Sequence, residues 1–322
     1  MSTSENKAST VMVIVSFALV YIVWGSTYFF IQMALQGMPP FFLGAARFLA
    51  AGSIMLIWCI ITGEKVWNFK YNKHAMISGV LLLFGGTGAL ILGELEVPSA
   101  VSAILVSAAP IWFVLLDAGH WRENLKSPST IIGLLIGFGG VVMLFGEQLS
   151  GAMHTNGASK LPYMAILVFG SVIWSAGSLY SKYKAGSTST TVNTTWQMLA
   201  AGIAFIPCSI AHHEWNGLKI SEIPAASWWA VAYLVIFGSI VAFSAYVWLL
   251  KVRPATQVST YAYVNPVIAV LLGILFANEQ ITPLQISGLV IILSSVLLIN
   301  LAKYRSARKP AQVTTEQKCA NA

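Results

Sequence analysis

Three charged side chains stand where the sequence is otherwise apolar. Arg47 lies about 8 residues into one apolar run, Glu94 near the outer end of the next, and Asp117 at the end of the one after. A charge in a low-dielectric surround is costly, so such groups turn toward protein, a partner charge or water. Arg47 can pair with Glu94, or it can bend its long stem outward and cap helix carbonyls. Glu94 and Asp117 have the chemistry of proton coupling, in which a carboxyl titrates as a site changes its exposure. The plainer alternative is that both are solvated charges at loop ends. Glu147 and Glu279 stand at helix ends.

A second set of residues is suited to holding a solute. Tyr21, Trp24, Gly25, Tyr28 and Gln32 recur at helical spacing and share one face. Ser171, Trp174, Ser178 and Ser181 form a similar stripe. Thr256, Ser259, Thr260 and Tyr263 form a third, with Tyr261 and Asn265 beside it. Polar faces turn away from hydrocarbon, so each stripe reads as the wall of an internal cavity or as a packing seam. Pro110 and Pro266 each remove a backbone donor and free a carbonyl, which marks candidate hinges or static kinks.

Other chemistries find no support. No nucleophile, base and orienting group fall at workable spacing on any two helices, so no enzyme is expected. Cys59, Cys208 and Cys319 are too few and scattered for a disulfide framework or a metal cluster, and His212-His213 is only a weak metal signal. The glycine clusters at 85–88 and 133–137 lie within apolar stretches, where small residues permit close packing. There is no Walker sequence, and no metal or cofactor is expected.

The elements that must position these residues follow from composition. Of 322 residues, 57% are hydrophobic and 9% charged, against about 25% charged in a soluble domain. Mean hydropathy is +0.75. The solvent is therefore lipid, and a soluble enzyme or nucleic-acid binder is excluded. A span needs about 20 apolar residues. Ten runs qualify: 11–35, 39–61, 75–95, 99–117, 129–147, 161–181, 190–211, 226–250, 255–276 and 283–302. They are twice the length of barrel strands and apolar throughout, which predicts helices. Only Lys7 precedes the first run and no small-residue cleavage site follows it, so it reads as a span and not a signal peptide.

With ten spans, fifteen Lys and Arg fall on the side of the N-terminus and two, Lys160 and Lys219, on the other; Arg47 is inside. Basic loops stay in the cytoplasm, so both termini are expected there. The net charge of +7 is then a topogenic signal and not a nucleic-acid footprint.

The sequence also repeats. Pro98, Pro110, Val114-Leu115-Leu116 and Glu123 match Pro254, Pro266, Val270-Leu271-Leu272 and Glu279 at an offset of 156. Leu49-Ala50-Ala51-Gly52 matches Leu199-Ala200-Ala201-Gly202 at 150, as Trp24 matches Trp174 and Arg47 meets Gln197. Spans three and eight align poorly, through Phe84-Gly85 and Phe237-Gly238 alone. An odd number of helices per repeat forces the second half to enter from the opposite face. The expected fold is an all-α membrane protein of ten transmembrane helices in two inverted five-helix repeats, with a substrate site between them near the midplane. The expected parts are a tail at 1–10, repeats at 11–147 and 161–302, a linker at 148–160 and a basic tail at 303–322.

Four motifs carry a family resemblance: Tyr21-Ile-Val-Trp24-Gly25-Ser26-Thr27-Tyr28, Ala46-Arg47-Phe48-Leu49-Ala50-Ala51-Gly52, Val97-Pro98-Ser99 and Tyr261-Ala-Tyr263-Val-Asn265-Pro266. Together they resemble the EamA type of the drug/metabolite transporter superfamily, in its YedA-like branch, from about 11 to 302. The resemblance implies a secondary carrier of a bacterial-type inner membrane, usually an exporter of amino acids, metabolites or drugs. It also implies a cavity among spans one, three, four, six, eight and nine. Face and depth nominate Trp24, Tyr28, Trp174, Ser178, Tyr261, Tyr263 and Asn265 as substrate-binding, with Ile291 as a lipid-facing contrast. The expected partners are a small-molecule substrate, the bilayer and a candidate coupling proton. Alternatives are a lipid-linked or nucleotide-sugar carrier, against which the scarcity of basic residues inside the spans argues, and, from other classes, a membrane-embedded enzyme or a receptor.

Overall fold

The structure, a computed structural model, describes residues 9–144, 146, 157–184, 188–216, 218–277 and 282–308. Glu147, Glu279, the linker as far as residue 156 and most of both tails lie outside the described residues. Among the described residues the chain is helical, with no strand.

The first two helices are α1 (Thr10–Leu35) and α2 (Pro40–Ile61). Helix α3 begins as Phe69–Gly79, widens to a π-helix over Val80–Thr87 and ends as Gly88–Gly93. A broken pair follows, α4 (Ser99–Val106) and α5 (Ala109–Leu116), then the short α6 (Trp121–Leu125) and α7 (Pro128–Leu144). Beyond the linker come α8 (Gly157–Lys184) and α9 (Thr190–Ala211). Helix α10 runs Ala225–Tyr233, turns π-helical over Leu234–Ala242 and resumes over Phe243–Val252. The chain closes with α11 (Ala255–Val258), α12 (Tyr261–Ala277) and α13 (Pro283–Arg308).

Among the described residues six helices are long and apolar enough to cross a bilayer: Thr10–Leu35, Pro40–Ile61, Asn72–Gly93, Lys160–Lys184, Thr190–Ala211 and Ala225–Val252. Val101–Leu116, Pro128–Met143 and Pro283–Ile299 are shorter apolar helices. The outer faces fit lipid. Helix α1 presents Val11, Ile14, Val15, Ile22 and Phe29 outward and buries Trp24, Gly25, Ser26 and Thr27. In water that outer face would be a large apolar patch; in lipid it is matched to its solvent.

The two proline sites differ from the expected interruptions. In the fourth run the helix breaks at Ser107-Ala108, and Pro110 then opens α5, where its missing N–H is no loss. In the ninth run Pro266 lies inside α12, and the break comes earlier, at Ser259-Thr260. There Ser259 and Thr260 donate their hydroxyls to the carbonyls of Thr256 and Gln257, which offers the backbone an alternative to helix. Helix α8 starts at Gly157, so the last residues assigned to the linker are helical.

Helices α2 and α9 cross by a reciprocal contact. A Cβ on Gly52 would meet Leu199 Cδ2 at 2.8 Å, and a Cβ on Gly202 would meet Leu49 Cγ at 2.8 Å. Only glycine lets the two helices approach so closely. The matched Leu-Ala-Ala-Gly stretches thus pack on each other, each leucine seated on the other's glycine. The π-helical sections also coincide with the weakest alignment: they contain Phe84-Gly85 and Phe237-Gly238.

On the face that carries the basic loops, Asp117 accepts a hydrogen bond from Tyr183 Oη at 2.8 Å and lies 3.1 Å from His120 Nδ1. Lys182 donates to the Leu250 and Arg253 carbonyls at the end of α10. On the opposite face Pro39 and Pro40 leave α2 without a side-chain cap of its own. Glu214, from the loop after α9, supplies one by accepting from the Phe41 and Phe42 amides at 3.0 and 2.7 Å.

Candidate functional site

A cavity lies between the two halves, walled by α1, α2, α3, the α4–α5 pair, α8, α10 and α12. Helix α1 contributes Trp24, Thr27, Tyr28 and Ile31, on one face over about two turns. Both π-helical sections supply wall: Leu83, Gly86 and Thr87 from α3, Gly238 and Ser239 from α10. A π turn disturbs the regular i→i−4 ladder and presents backbone groups to neighbours. Here Trp24 Nε1 donates to the Gly238 carbonyl at 3.1 Å, and Arg47 Nε donates to Ser239 Oγ at 2.9 Å. Gly238 leaves the room for this, since a Cβ would stand 3.1 Å from Arg47 Nη2.

One end of the cavity is aromatic. Trp24 packs edge-on to Trp174 at 5.4 Å and to Tyr261 at 5.0 Å, and lies 4.8 Å from Tyr246. Tyr246 also packs at 5.6 Å against Trp174 and 5.5 Å against Tyr261. Such edge-to-face contacts hold rings rigidly with little entropy left to lose. Arg47 and Phe48 complete the wall, the guanidinium 4.9 Å from the Phe48 ring centroid. The cavity is partly open and has a volume of about 80 Å³, several times what one ordered water needs. Pockets for drug-sized ligands usually run to several hundred Å³.

Of the nominated residues, Trp24, Tyr28, Trp174, Tyr261 and Asn265 line this cavity. With its amide assigned so that the nitrogen faces the carbonyls of Tyr261 and Tyr21, Asn265 donates to both, at 3.0 and 3.2 Å. Two others lie elsewhere. Tyr263 is buried and donates to the Leu134 carbonyl of α7 at 2.9 Å. Ser178 donates to the Trp174 carbonyl and shares a 2.6 Å hydrogen bond with Tyr246, behind the aromatic cluster. Pro110 follows the cavity residue Ala109 and Pro266 follows Asn265, so both prolines adjoin the wall without lining it. Ile291 is half-buried where α13 meets Gly140 of α7, and so is not a purely lipid-facing position.

The charged residues also separate. Arg47 and Glu94 are both buried, but no ion pair joins them. Glu94 ends α3 with neither carboxylate oxygen hydrogen-bonded, one turn beyond the cavity residue Leu90. Asp117 belongs to the cluster with His120 and Tyr183 and is not among the residues that line the cavity. Sequence reasoning missed α2 as a wall and Tyr246 as part of the aromatic cluster. Arg47's place inside a span was a signal for the first; the poor alignment of spans three and eight left none for the second. Among the described residues no three His, Cys, Asp or Glu side chains gather as metal ligands would.

The profile of the EamA-like transporter family matches the chain twice, over residues 11–146 and 161–301. The chain belongs to the EamA family. Among its relatives is the uncharacterized inner membrane transporter YedA of Escherichia coli (strain K12), 36% identical over 299 residues that cover 91% of this chain and 92% of YedA. The uncharacterized transporter sll0355 of Synechocystis is 23% identical, over 92% of this chain and 91% of its own. A crystal structure that is 20% identical shares the fold, with a TM-score of 0.73 over 92% of this chain and 99% of its own length. EamA proteins are membrane transporters and not enzymes, and this chain is a transporter of that family.

Proposed function

We propose that this EamA transporter is a secondary-active carrier of the inner membrane, with ten spans in two inverted five-helix halves and both termini in the cytoplasm. It moves a small, partly apolar solute, an amino acid or related metabolite or an amphipathic drug, outward by alternating access through the cavity around Trp24, Tyr28, Trp174, Tyr261 and Asn265. The observation that carries this reading is the cavity itself, a space between the two stretches matched by the family profile with wall residues from both. Aromatic faces suit an apolar body, and hydroxyl and amide groups suit a polar end. Three observations support the inverted repeat: the double family match, the reciprocal seating of Leu49 and Leu199 on Gly202 and Gly52, and the π-helical sections at corresponding places. The fifteen-to-two charge split supports the orientation.

Counterflow in proteoliposomes tests the carrier. Vesicles loaded with an unlabelled solute should transiently concentrate the labelled solute without ATP. If no solute from metabolite, amino-acid, organic-acid or cationic-drug panels shows counterflow in protein that is folded, the reading fails. Reporter fusions after Lys73, Lys160 and Lys309 should read inside, outside and inside. An outside reading at Lys309 removes the proposed topology while leaving the carrier.

A further inference from the structure

Arg47 is the charged residue of the cavity wall, and its charge is unmatched. It is 5% exposed, with no carboxylate within salt-bridge distance among the described residues. Nε is held by Ser239, while Nη1 is buried with no hydrogen-bond partner. The Phe48 ring lies beside the guanidinium and supplies part of the electrostatic compensation. A packing role does not explain this arrangement, because a buried guanidinium with unmet donors costs free energy that a methionine would not. Fixing the group through Nε sets the orientation of the fork, whose buried Nη1 gains a partner only when the wall opens to admit an acceptor. A carboxylate is the acceptor that matches the fork, through paired N–H···O bonds.

We infer that Arg47 is the anion-binding group of the cavity, and that the transported solute carries one carboxylate that docks on its guanidinium. The inference rests on the carrier reading above and narrows its substrate class. A single cation, with no second Lys or Arg in the wall among the described residues, balances a monoanion. A phosphate monoester carries nearly two charges at neutral pH and would be left partly uncompensated. The aromatic residues Trp24, Trp174 and Tyr261 then take the rest of a small solute. An α-amino acid and a simple monocarboxylic acid share the docking chemistry; the presence of an amine separates them.

The test uses the full chain in proteoliposomes. The probes are the twenty standard amino acids, the straight and branched monocarboxylic acids of three to six carbons, the amines formed by replacing each amino-acid carboxylate with hydrogen, and glycerol phosphate. At least one carboxylate probe should show counterflow, and its carboxylate-free amine should neither be transported nor compete. Counterflow of amino acids but not of simple acids identifies a zwitterion carrier, and the reverse an organic-acid carrier; both agree with the inference. Arg47→Gln should weaken the active carboxylate probe by about 10- to 100-fold, and Arg47→Lys should restore part of that loss. If amines or glycerol phosphate counterflow and no carboxylate does, this inference falls and the carrier stands. If nothing in any class counterflows, both fall. Wild-type affinity for the carboxylate probe in folded Arg47→Gln also overturns it. Should Arg47→Gln fail to fold, the carboxylate-versus-amine comparison on the wild-type protein still decides.

Discussion

Arg47 and Gln197 occupy corresponding positions, each two residues before a Leu-Ala-Ala-Gly stretch, yet their surroundings differ. Gln197 is fully buried away from the cavity, and its Nε2 donates to both Ser78 and Ser181, at 2.9 and 3.0 Å. It ties α9 to α3 and α8 at once. Arg47 lines the cavity with one hydrogen bond and a donor left over. One half of the molecule uses the position as a strut between helices and the other keeps a cation there at the cavity wall, while each leaves one buried polar atom, Gln197 Oε1 or Arg47 Nη1, without a hydrogen-bond partner. The difference is therefore one of charge and of place at the cavity, and these separate what holds the helices together from what meets a solute.

The sharpest way to break this comparison is to add one methyl group beside each residue. A Cβ on Gly79 would collide with the Gln197 backbone, which cannot swing aside. Gly79→Ala should cost about 3 kcal/mol or more and sharply reduce the folded fraction recovered in detergent. A Cβ on Gly238 meets side-chain atoms and no backbone, the end of Arg47 at 3.1 Å and Thr27 Cγ2 at 3.3 Å. Gly238→Ala should therefore fold and lose transport instead. Equal folded yields for the two variants would remove the distinction between strut and site.

The next effect concerns the two side chains themselves. Gln197→Leu leaves the Ser78 and Ser181 hydroxyls without that donor and should lower stability by about 1–3 kcal/mol in thermal unfolding. Arg47→Met removes a buried charge with unmet donors and should leave stability unchanged or raise it. A larger loss for Arg47→Met than for Gln197→Leu would make Arg47 the structural residue.

The smallest effects sort the tyrosines and tryptophans the same way. Trp24→Ala should weaken solute binding by roughly 5–30-fold, the equivalent of about 1–2 kcal/mol. Tyr263→Phe loses its hydrogen bond to Leu134, so it should lose about 1 kcal/mol of stability and no affinity. Leu293→Ala, on the exposed side of α13, should do neither. Binding titrations paired with melting curves check all three, and an affinity loss in Tyr263→Phe would put that residue back into the site.

These contrasts also mark what the sequence could reveal. Apolar run lengths placed the long helices closely: α9 falls on the expected 190–211. Trp24, Tyr28 and Trp174 could be grouped because depth and helical face are properties of each run alone. Tyr261 and Tyr263 could not both face the cavity, since residues two apart point to different sides of a helix, and pattern alone did not say which one does. The missing Arg47–Glu94 pair has a similar cause. Both lie toward the same face of the membrane, but depth carries no information about the angle between two helices. Sequence offsets between repeats likewise could not reveal that the chain breaks at Ser259-Thr260, because local hydroxyl-to-carbonyl bonds decide that, and not the proline.

The crossing of α2 and α9 has a mechanical consequence. Two leucines set into two glycines leave little room for the helices to slide past each other, and a small turn displaces the atoms nearest the crossing least. On the proposed reading the crossing serves as a fulcrum, and a rigid half that turns on it widens one mouth by the motion that narrows the other. A membrane that stores energy as voltage needs this of every protein that pierces it, because a passage with both mouths open for even a moment would short-circuit it. The insulation would then come from close packing at four residues, Leu49, Gly52, Leu199 and Gly202, with no dedicated gate required.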